Sequence, residues 1–180
     1  MDRGYHAAAM DEIADRAGVS KPVLYQHFPG KLDLYLAILD LHAGELLDAV
    51  RDALASTTDN KQRVAATMAA YLAFVDRDDM PFRLVFESDL TNDPAVRQRV
   101  ERMQSATASA VAEVIREDTG LDPGEAELLG TALTGMAQVT ARYWLQTGGR
   151  IPRDAAARLM AQLSWRGIGG FPKAEGGSNP

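Results

Sequence analysis

The side chains whose types and spacing could do chemistry in this chain are concentrated in the segment Met10–Phe28. Met10–Ala17 has the spacing of a short helix, and Gly18 is placed to adopt the positive φ that ends it. Ser20 can cap a second helix, and Pro22 falls near its first turn, where a missing N–H is harmless. Two short helices joined by a tight glycine turn are typical of a helix-turn-helix.

The second of these helices supplies the candidate DNA contacts. Leu24 and Phe28 lie four residues apart and attach the helix to a core, so its other side chains face outward or lie at the edges. The candidates on this open face are Lys21, Pro22, Val23, Tyr25, Gln26 and His27. Lys31, at the start of the next helix, is a further candidate.

These residues also carry a family resemblance. The pattern consists of Gly4-Tyr5, Ile13-Ala14, Ala17-Gly18-Val19-Ser20, Leu24-Tyr25, His27-Phe28, Lys31 and Leu34. It resembles the TetR family of bacterial repressors over about residues 4–40. The resemblance implies a small DNA-binding domain followed by a larger helical domain that binds a ligand and dimerises. Ligand binding is then expected to move the helix that starts at Lys31.

The resemblance also implies a division of roles on the DNA-binding face. Lys21, Pro22 and Val23 match positions that face bases, with Lys21 as the expected guanine reader. Tyr25, His27 and Lys31 match positions that grip phosphates, which position the protein without reading sequence. Packing or solvent exposure alone is the competing interpretation of Tyr25 and His27.

Two positions depart from the family pattern. The family usually has Thr or Ser before the first motif helix, whereas Ala9 stands here, so a cap and a phosphate contact are missing. The family also has a helix before Gly4-Tyr5, where this sequence begins at Met1. We expect the DNA-binding unit to be destabilised without that helix and Met1 to be an internal methionine of a longer reading frame.

The rest of the chain has helical periodicity and no strand or hairpin signal, which predicts an all-α fold of about eight helices. Helices are expected over 94–117, 123–147 and 152–167. Asn92 or Asp93 can cap the first of these, and Asp122 with Glu125 forms a capping box for the second. The predicted domains are 1–36 for DNA binding and 37–170 for ligand binding and dimerisation, followed by a flexible tail over 171–180.

Apolar residues cover both sides of the last two helices, which predicts a homodimer. A monomer burying one side of each helix would leave the other side in water. The expected interface residues are Leu128, Ala132, Val139, Leu159, Leu163 and Trp165.

Large apolar side chains are numerous enough in the second domain to suggest a ligand pocket between the predicted helices 60–76, 80–89, 94–117 and 123–147. The candidates are Met68, Tyr71, Phe82, Phe86, Met103, Thr107, Met136, Thr140, Tyr143 and Trp144. Each one alone is more often a core residue. With no charged pairs expected inside, the pocket favours an apolar or weakly polar effector of unknown identity.

Composition excludes several other classes of protein. The chain has no cysteine, only three scattered histidines and a net charge of −6, so thiolate sites, a zinc site and coating of nucleic acid by bulk charge are all disfavoured. No Glu-x-x-His pair, phosphate loop or nucleophile elbow is found, so we expect neither an enzyme nor a cofactor. No membrane span or leader is recognisable, which makes the cytoplasm the expected location.

The sequence therefore predicts a dimeric repressor that binds a pseudo-palindromic operator on double-stranded DNA and is released by a small apolar effector. The alternative is an all-helical dimeric interaction module whose truncated DNA-binding motif is inactive. Sequence-specific, salt-sensitive DNA binding distinguishes the two.

Overall fold

The computed structural model of the chain describes Tyr5, residues 9–77, Leu90 and residues 92–167. These residues form seven helices and no strand, which confirms the all-α prediction. The helices are α1 (Met10–Ala17), α2 (Lys21–His27), α3 (Lys31–Ala55), α4 (Asn60–Val75), α5 (Pro94–Thr119), α6 (Pro123–Gln146) and α7 (Arg153–Arg166). The predicted helix 80–89 and the predicted tail 171–180 lie outside the described residues.

Most helix boundaries follow from local signals in the sequence. Asp93 caps α5 by accepting hydrogen bonds from the backbone N–H groups of Ala95 and Val96. Asp122 and Glu125 form the predicted capping box of α6. Gly18 ends α1 with φ of 67°, also as predicted. At the start of α2 the prediction was wrong in one detail, because the Ser20 side chain makes no capping hydrogen bond.

Two hydrophobic clusters organise the packing. The smaller holds Met10, Ala14 and Leu24 with Ile13, Phe28 and Leu34 around them, and it joins α1 and α2 to the start of α3. The larger draws on α3 to α7, with Leu39, Leu46, Leu72, Val96 and Ala141 fully or almost fully buried. The predicted domain boundary at 36/37 falls inside α3, which runs without a break from one cluster to the other.

Small residues let α5 and α6 pack closely. Ala108 and Ala112 on α5 face Ala126 and Gly130 on α6, and all four are buried. A Cβ atom at position 130 would overlap the Ala108 carbonyl oxygen and lie 3.0 Å from the Ala112 nitrogen. Gly130 is therefore required by the close approach of the two helices. None of the described helices is long and apolar enough to cross a bilayer.

We expect Gly130→Ala to destabilise the protein by about 1–3 kcal/mol, because the added methyl group forces α5 and α6 apart. Urea unfolding followed by circular dichroism measures the change. The matched control is Gly44→Ala in α3, where a Cβ atom meets nothing within 4 Å. That change should be neutral or stabilising, since alanine favours a helix over glycine by about 1 kcal/mol. Equal effects of the two variants would contradict close packing at Gly130.

Candidate functional site

The predicted DNA-contacting residues of α2 are all exposed and cover most of the circumference of the helix, leaving only the side of Leu24 buried. Leu24 is buried in the small cluster and Phe28 is half-buried, so the two anchor the helix as expected. Every other residue from Lys21 to His27 is exposed, including Val23 and Tyr25, which are unusually open for large apolar side chains. The side chains that the structure leaves accessible on α2 are therefore those of Lys21, Pro22, Val23, Tyr25, Gln26 and His27, and their contacts with DNA remain predictions.

Lys21 is not free on this surface. Its Nζ donates a hydrogen bond of 2.7 Å to Oδ2 of Asp11 on α1, and both side chains are about half exposed. This hydrogen bond, together with the charge of Asp11, raises the pKa of Lys21. The carboxylate of Asp11 therefore offsets part of the positive charge that the predicted guanine reader offers to DNA.

Lys31 also has an internal partner. Its Nζ lies 4.5 Å from the centre of the Tyr5 ring, a cation–π contact, and Tyr5 packs edge-on against Tyr35 with ring centres 5.6 Å apart. Tyr35 is buried in the large cluster. The predicted phosphate-binding lysine is therefore positioned by an aromatic pair that joins the segment before α1 to α3. Ala9 makes no capping hydrogen bond to α1, in agreement with the predicted missing cap.

A cavity of about 230 Å³ lies in the second part of the molecule. Side chains of α3 to α7 line it, most of them apolar. Its described lining residues are Val50, Leu54, Asn60, Arg63, Val64, Thr67, Met68, Tyr71, Thr107, Val111, Val114, Ile115, Asp118, Thr119, Leu133, Thr134, Ala137, Ser164 and Trp165. Burial raises the pKa of the Tyr71 phenol well above its ordinary value, so this wall stays neutral.

The predicted pocket residues are distributed between the cavity and the core. Met68, Tyr71 and Thr107 line the cavity. Met103 and Trp144 are buried in the large cluster outside it, Met136 and Thr140 are half-buried, and Tyr143 is 66% exposed. Phe82 and Phe86 lie outside the described residues. The sequence did not single out α3 and α7 as walls, although Val50, Leu54 and Trp165 line the cavity.

One end of the cavity is polar. Arg63 donates hydrogen bonds to Asp118 Oδ2 at 2.6 Å, to Asn60 Oδ1 at 3.0 Å and to the Thr57 carbonyl oxygen at 2.7 Å. The ion pair joins the start of α4 to the end of α5. Asp118 and the neighbouring Thr119 are the most solvent-accessible part of this end.

The predicted dimer residues lie on the outside of α6 and α7. Leu128, Ala132 and Val139 are all exposed, with Leu128 at 71% and Val139 at 66%. Leu159 and Leu163 are partly exposed on α7. Trp165 is half-exposed and also lines the cavity, so its surroundings differ from those of the other five. Among the described residues, no group of three or more acidic or histidine side chains is placed to hold a metal ion.

Comparison with known proteins adds evidence on identity. Residues 1–38 match the model of bacterial regulatory proteins of the tetR family. The transcriptional activator FasR of Mycolicibacterium smegmatis is 45% identical over 172 residues, covering 96% of this chain and 78% of that protein.

Solved structures have the same fold. A TetR-like transcriptional regulator from Rhodococcus sp. RHA1 aligns with a TM-score of 0.72 and 26% identity, covering 94% of this chain and 89% of that one. FadR from Bacillus subtilis, solved in complex with stearoyl-CoA, aligns with a TM-score of 0.75 and 18% identity, covering 92% and 91%. The similarity to FadR, at 18% identity, shows only that the fold is shared.

We expect Asp11→Asn to raise the affinity for DNA at low salt, because a carboxylate then no longer offsets the charge of Lys21 or repels nearby phosphates. If one more cation then meets the phosphates, the slope of log affinity against log salt steepens by up to about 0.9. Fluorescence anisotropy of labelled duplex across a salt series measures both quantities. Asp52→Asn is the control of equal charge change, since residue 52 lies about 30 Å along α3 from Lys31. Equal slopes for the two variants would show that Asp11 does not restrain Lys21.

Proposed function

The chain belongs to the TetR family of bacterial transcriptional regulators. We propose that it binds operator DNA as a dimer and responds to an apolar ligand held in the cavity that α3 to α7 line. The observation that carries this proposal is α3 itself. It carries Lys31 at one end, packs Leu34 into the DNA-binding unit and lines the cavity with Val50 and Leu54. The same helix therefore contacts both the DNA-binding unit and the cavity, the two sites that a ligand-controlled regulator must couple.

The exposed residues of α2 support a sequence-specific DNA contact. Lys21 and Gln26 can hydrogen-bond base edges, while Val23 offers an apolar surface of the kind that packs on thymine methyl groups. Six exposed neighbours on a short helix fit the width of the major groove, with one α2 helix entering each half of a two-fold operator. The net charge of −6 makes bulk attraction to DNA weak, so these local contacts have to supply the affinity.

Whether the protein activates or represses transcription is proposed from the relative that is 45% identical. Its printed name is transcriptional activator, so we propose activation in place of the repression expected from the resemblance alone. The inactive interaction module becomes the weaker candidate, because the six candidate residues of α2 are all exposed.

Lys21→Ala and Lys31→Ala test the DNA-binding proposal. We expect Lys21→Ala to lower affinity for DNA from the chain's own promoter region by roughly ten- to a hundredfold and to relax preference among operator variants. Lys31→Ala should weaken all sequences alike and flatten the salt slope, because phosphate contacts carry no sequence information. Anisotropy titrations with operator variants separate the two behaviours.

A reporter gene behind the same promoter shows in cells whether the protein activates or represses transcription. Under the activation proposal Lys21→Ala lowers transcription, whereas higher transcription would identify a repressor. Identical responses of the two lysine variants across all operators would contradict the division of roles. Absence of salt-sensitive binding in the full chain would favour the interaction module.

The dimer proposal is supported by α6, whose two sides are both apolar. Its inner stripe is Ala126, Gly130, Ala137, Ala141 and Trp144, and its outer stripe is Leu128, Ala132, Val139 and Tyr143. The two stripes are offset by two residues, or about 200° around the helix. The outer stripe faces away from the chain's own core, and a second copy related by a two-fold axis would cover it.

Val139→Glu should convert the dimer to a monomer at micromolar concentration, because an unpaired charge would be buried at the interface. Analytical ultracentrifugation measures the oligomeric state. Val23→Glu is the control, since it makes the same change on the exposed face of α2 and should leave the dimer intact while impairing DNA binding. A Val139→Glu protein that sediments like the wild-type dimer would place the interface elsewhere.

A further inference from the structure

The described wall of the cavity reaches the protein surface at one end. Three of its lining residues, Asp118, Thr119 and Trp165, are exposed, whereas its other described lining residues are half-buried or buried. Asp118 and Thr119 are the last two residues of α5, and Trp165 lies in the last turn of α7. The ends of these two helices therefore border the place where the cavity meets solvent.

The start of α4 forms a third side of the same end. An ion pair of 3.5 Å between Arg153 and Asp76 joins the start of α7 to the residue after α4, so the two helices run antiparallel. The end of α7 consequently lies beside the start of α4, where Asn60 and Arg63 also line the cavity. Leu54, at the end of α3, lines the cavity as well, which puts this opening at the end of α3 opposite to Lys31.

Arg63 extends from α4 to α5 at this opening. Its guanidinium donates to Oδ2 of Asp118 at 2.6 Å, and its Nε is held by the Thr57 carbonyl oxygen at 2.7 Å. The side chains of Arg63 and Asp118 are 17% and 32% exposed, so the ion pair lies near the surface and not deep in the core. A molecule that enters between the ends of these helices has to pass this ion pair.

We propose that the ion pair between Arg63 and Asp118 is the gate of the cavity, which opens when the guanidinium releases the carboxylate and closes again behind a bound ligand. A partly exposed ion pair is weak enough to open repeatedly without unfolding the helices that it joins. An apolar ligand makes no favourable contact with either charge, so the gate controls the rates of entry and exit and not the affinity. This inference rests on the proposed function, because it identifies the route into the same cavity.

The kinetics of a neutral apolar probe test the gate on the full-length protein. The probe is 1-bromononane, whose bromine quenches tryptophan fluorescence at short range, and Trp165 lines the cavity. Stopped-flow mixing gives the association and dissociation rate constants. In the wild-type protein we expect both to rise by the same factor, about two- to fivefold, as salt is added, because salt screens a partly exposed ion pair. The dissociation constant should stay unchanged.

Variants of Asp118 assign the effect to the ion pair. Asp118→Asn keeps the shape of the side chain and removes its charge, so both rate constants should rise about two- to fivefold at low salt and lose their salt dependence. Asp118→Lys places a like charge beside Arg63 and should raise both rate constants further. The matched control is Asp40→Asn, which breaks the 3.0 Å ion pair to Arg99 away from the described cavity lining and should leave both rate constants unchanged.

The outcomes separate this inference from the proposed function. If 1-bromononane binds with the same rate constants in the wild-type and Asp118→Asn proteins, the gate is wrong while the ligand cavity stands. A change in only one of the two rate constants also overturns the gate, because it makes Asp118 part of the binding surface. Equal acceleration in Asp40→Asn would show a general loosening of the helices and contradict the gate. If the probe does not bind, both proposals fall, and wild-type rates that ignore salt overturn the gate even if a variant does not fold.

Discussion

The rest of the structure depends on α3 being one uninterrupted helix that belongs to two cores. It has 25 residues and so extends about 37 Å, with Leu34 in the small cluster and Leu39, Leu46 and Val50 in the large one. Ion pairs from Asp40 to Arg99 and from Glu45 to Arg77 join its middle to α5 and to the segment after α4. A helix packed in this way moves largely as a unit. In the proposed function, α3 is therefore the element through which a change of packing around Val50 would reach Lys31.

The residues of α6 are divided by size between two sides of the helix. Alanine and glycine on the inner side allow the backbone of α5 to approach closely, which leaves the bulky Leu128, Val139 and Tyr143 for the outer side. In a single chain this arrangement leaves an apolar stripe exposed, and the proposed dimer would cover it. The close packing of the core and the exposed apolar surface therefore follow from one distribution of small and large side chains.

Local signals made much of the fold predictable, and the cavity was less predictable because it depends on tertiary packing. A cap such as Asp122 or a positive φ at Gly18 is determined within a few residues, and these predictions were confirmed. Met68 and Met103 have the same type and lie on inner faces of their helices, but only Met68 lines the cavity. Periodicity identifies the face of a helix, whereas the angles between helices decide which part of it meets a void. In the same way, the sequence cannot distinguish the bonded hydroxyl of Thr107 from the unbonded ones of Thr67 and Thr134.

In the proposed function, the internal partners of the two lysines lower the affinity of this acidic protein for DNA of any sequence. Both lysines of that face have internal partners, Lys21 with Asp11 and Lys31 with the Tyr5 ring. Any DNA has to compete with these contacts, so a random sequence that offers only phosphates gains little from them. An operator that also offers a matching base edge to Lys21 recovers the cost of leaving Asp11. Selectivity is a difference of affinities, and an internal carboxylate that weakens every complex by the same amount keeps non-specific binding low without reducing that difference.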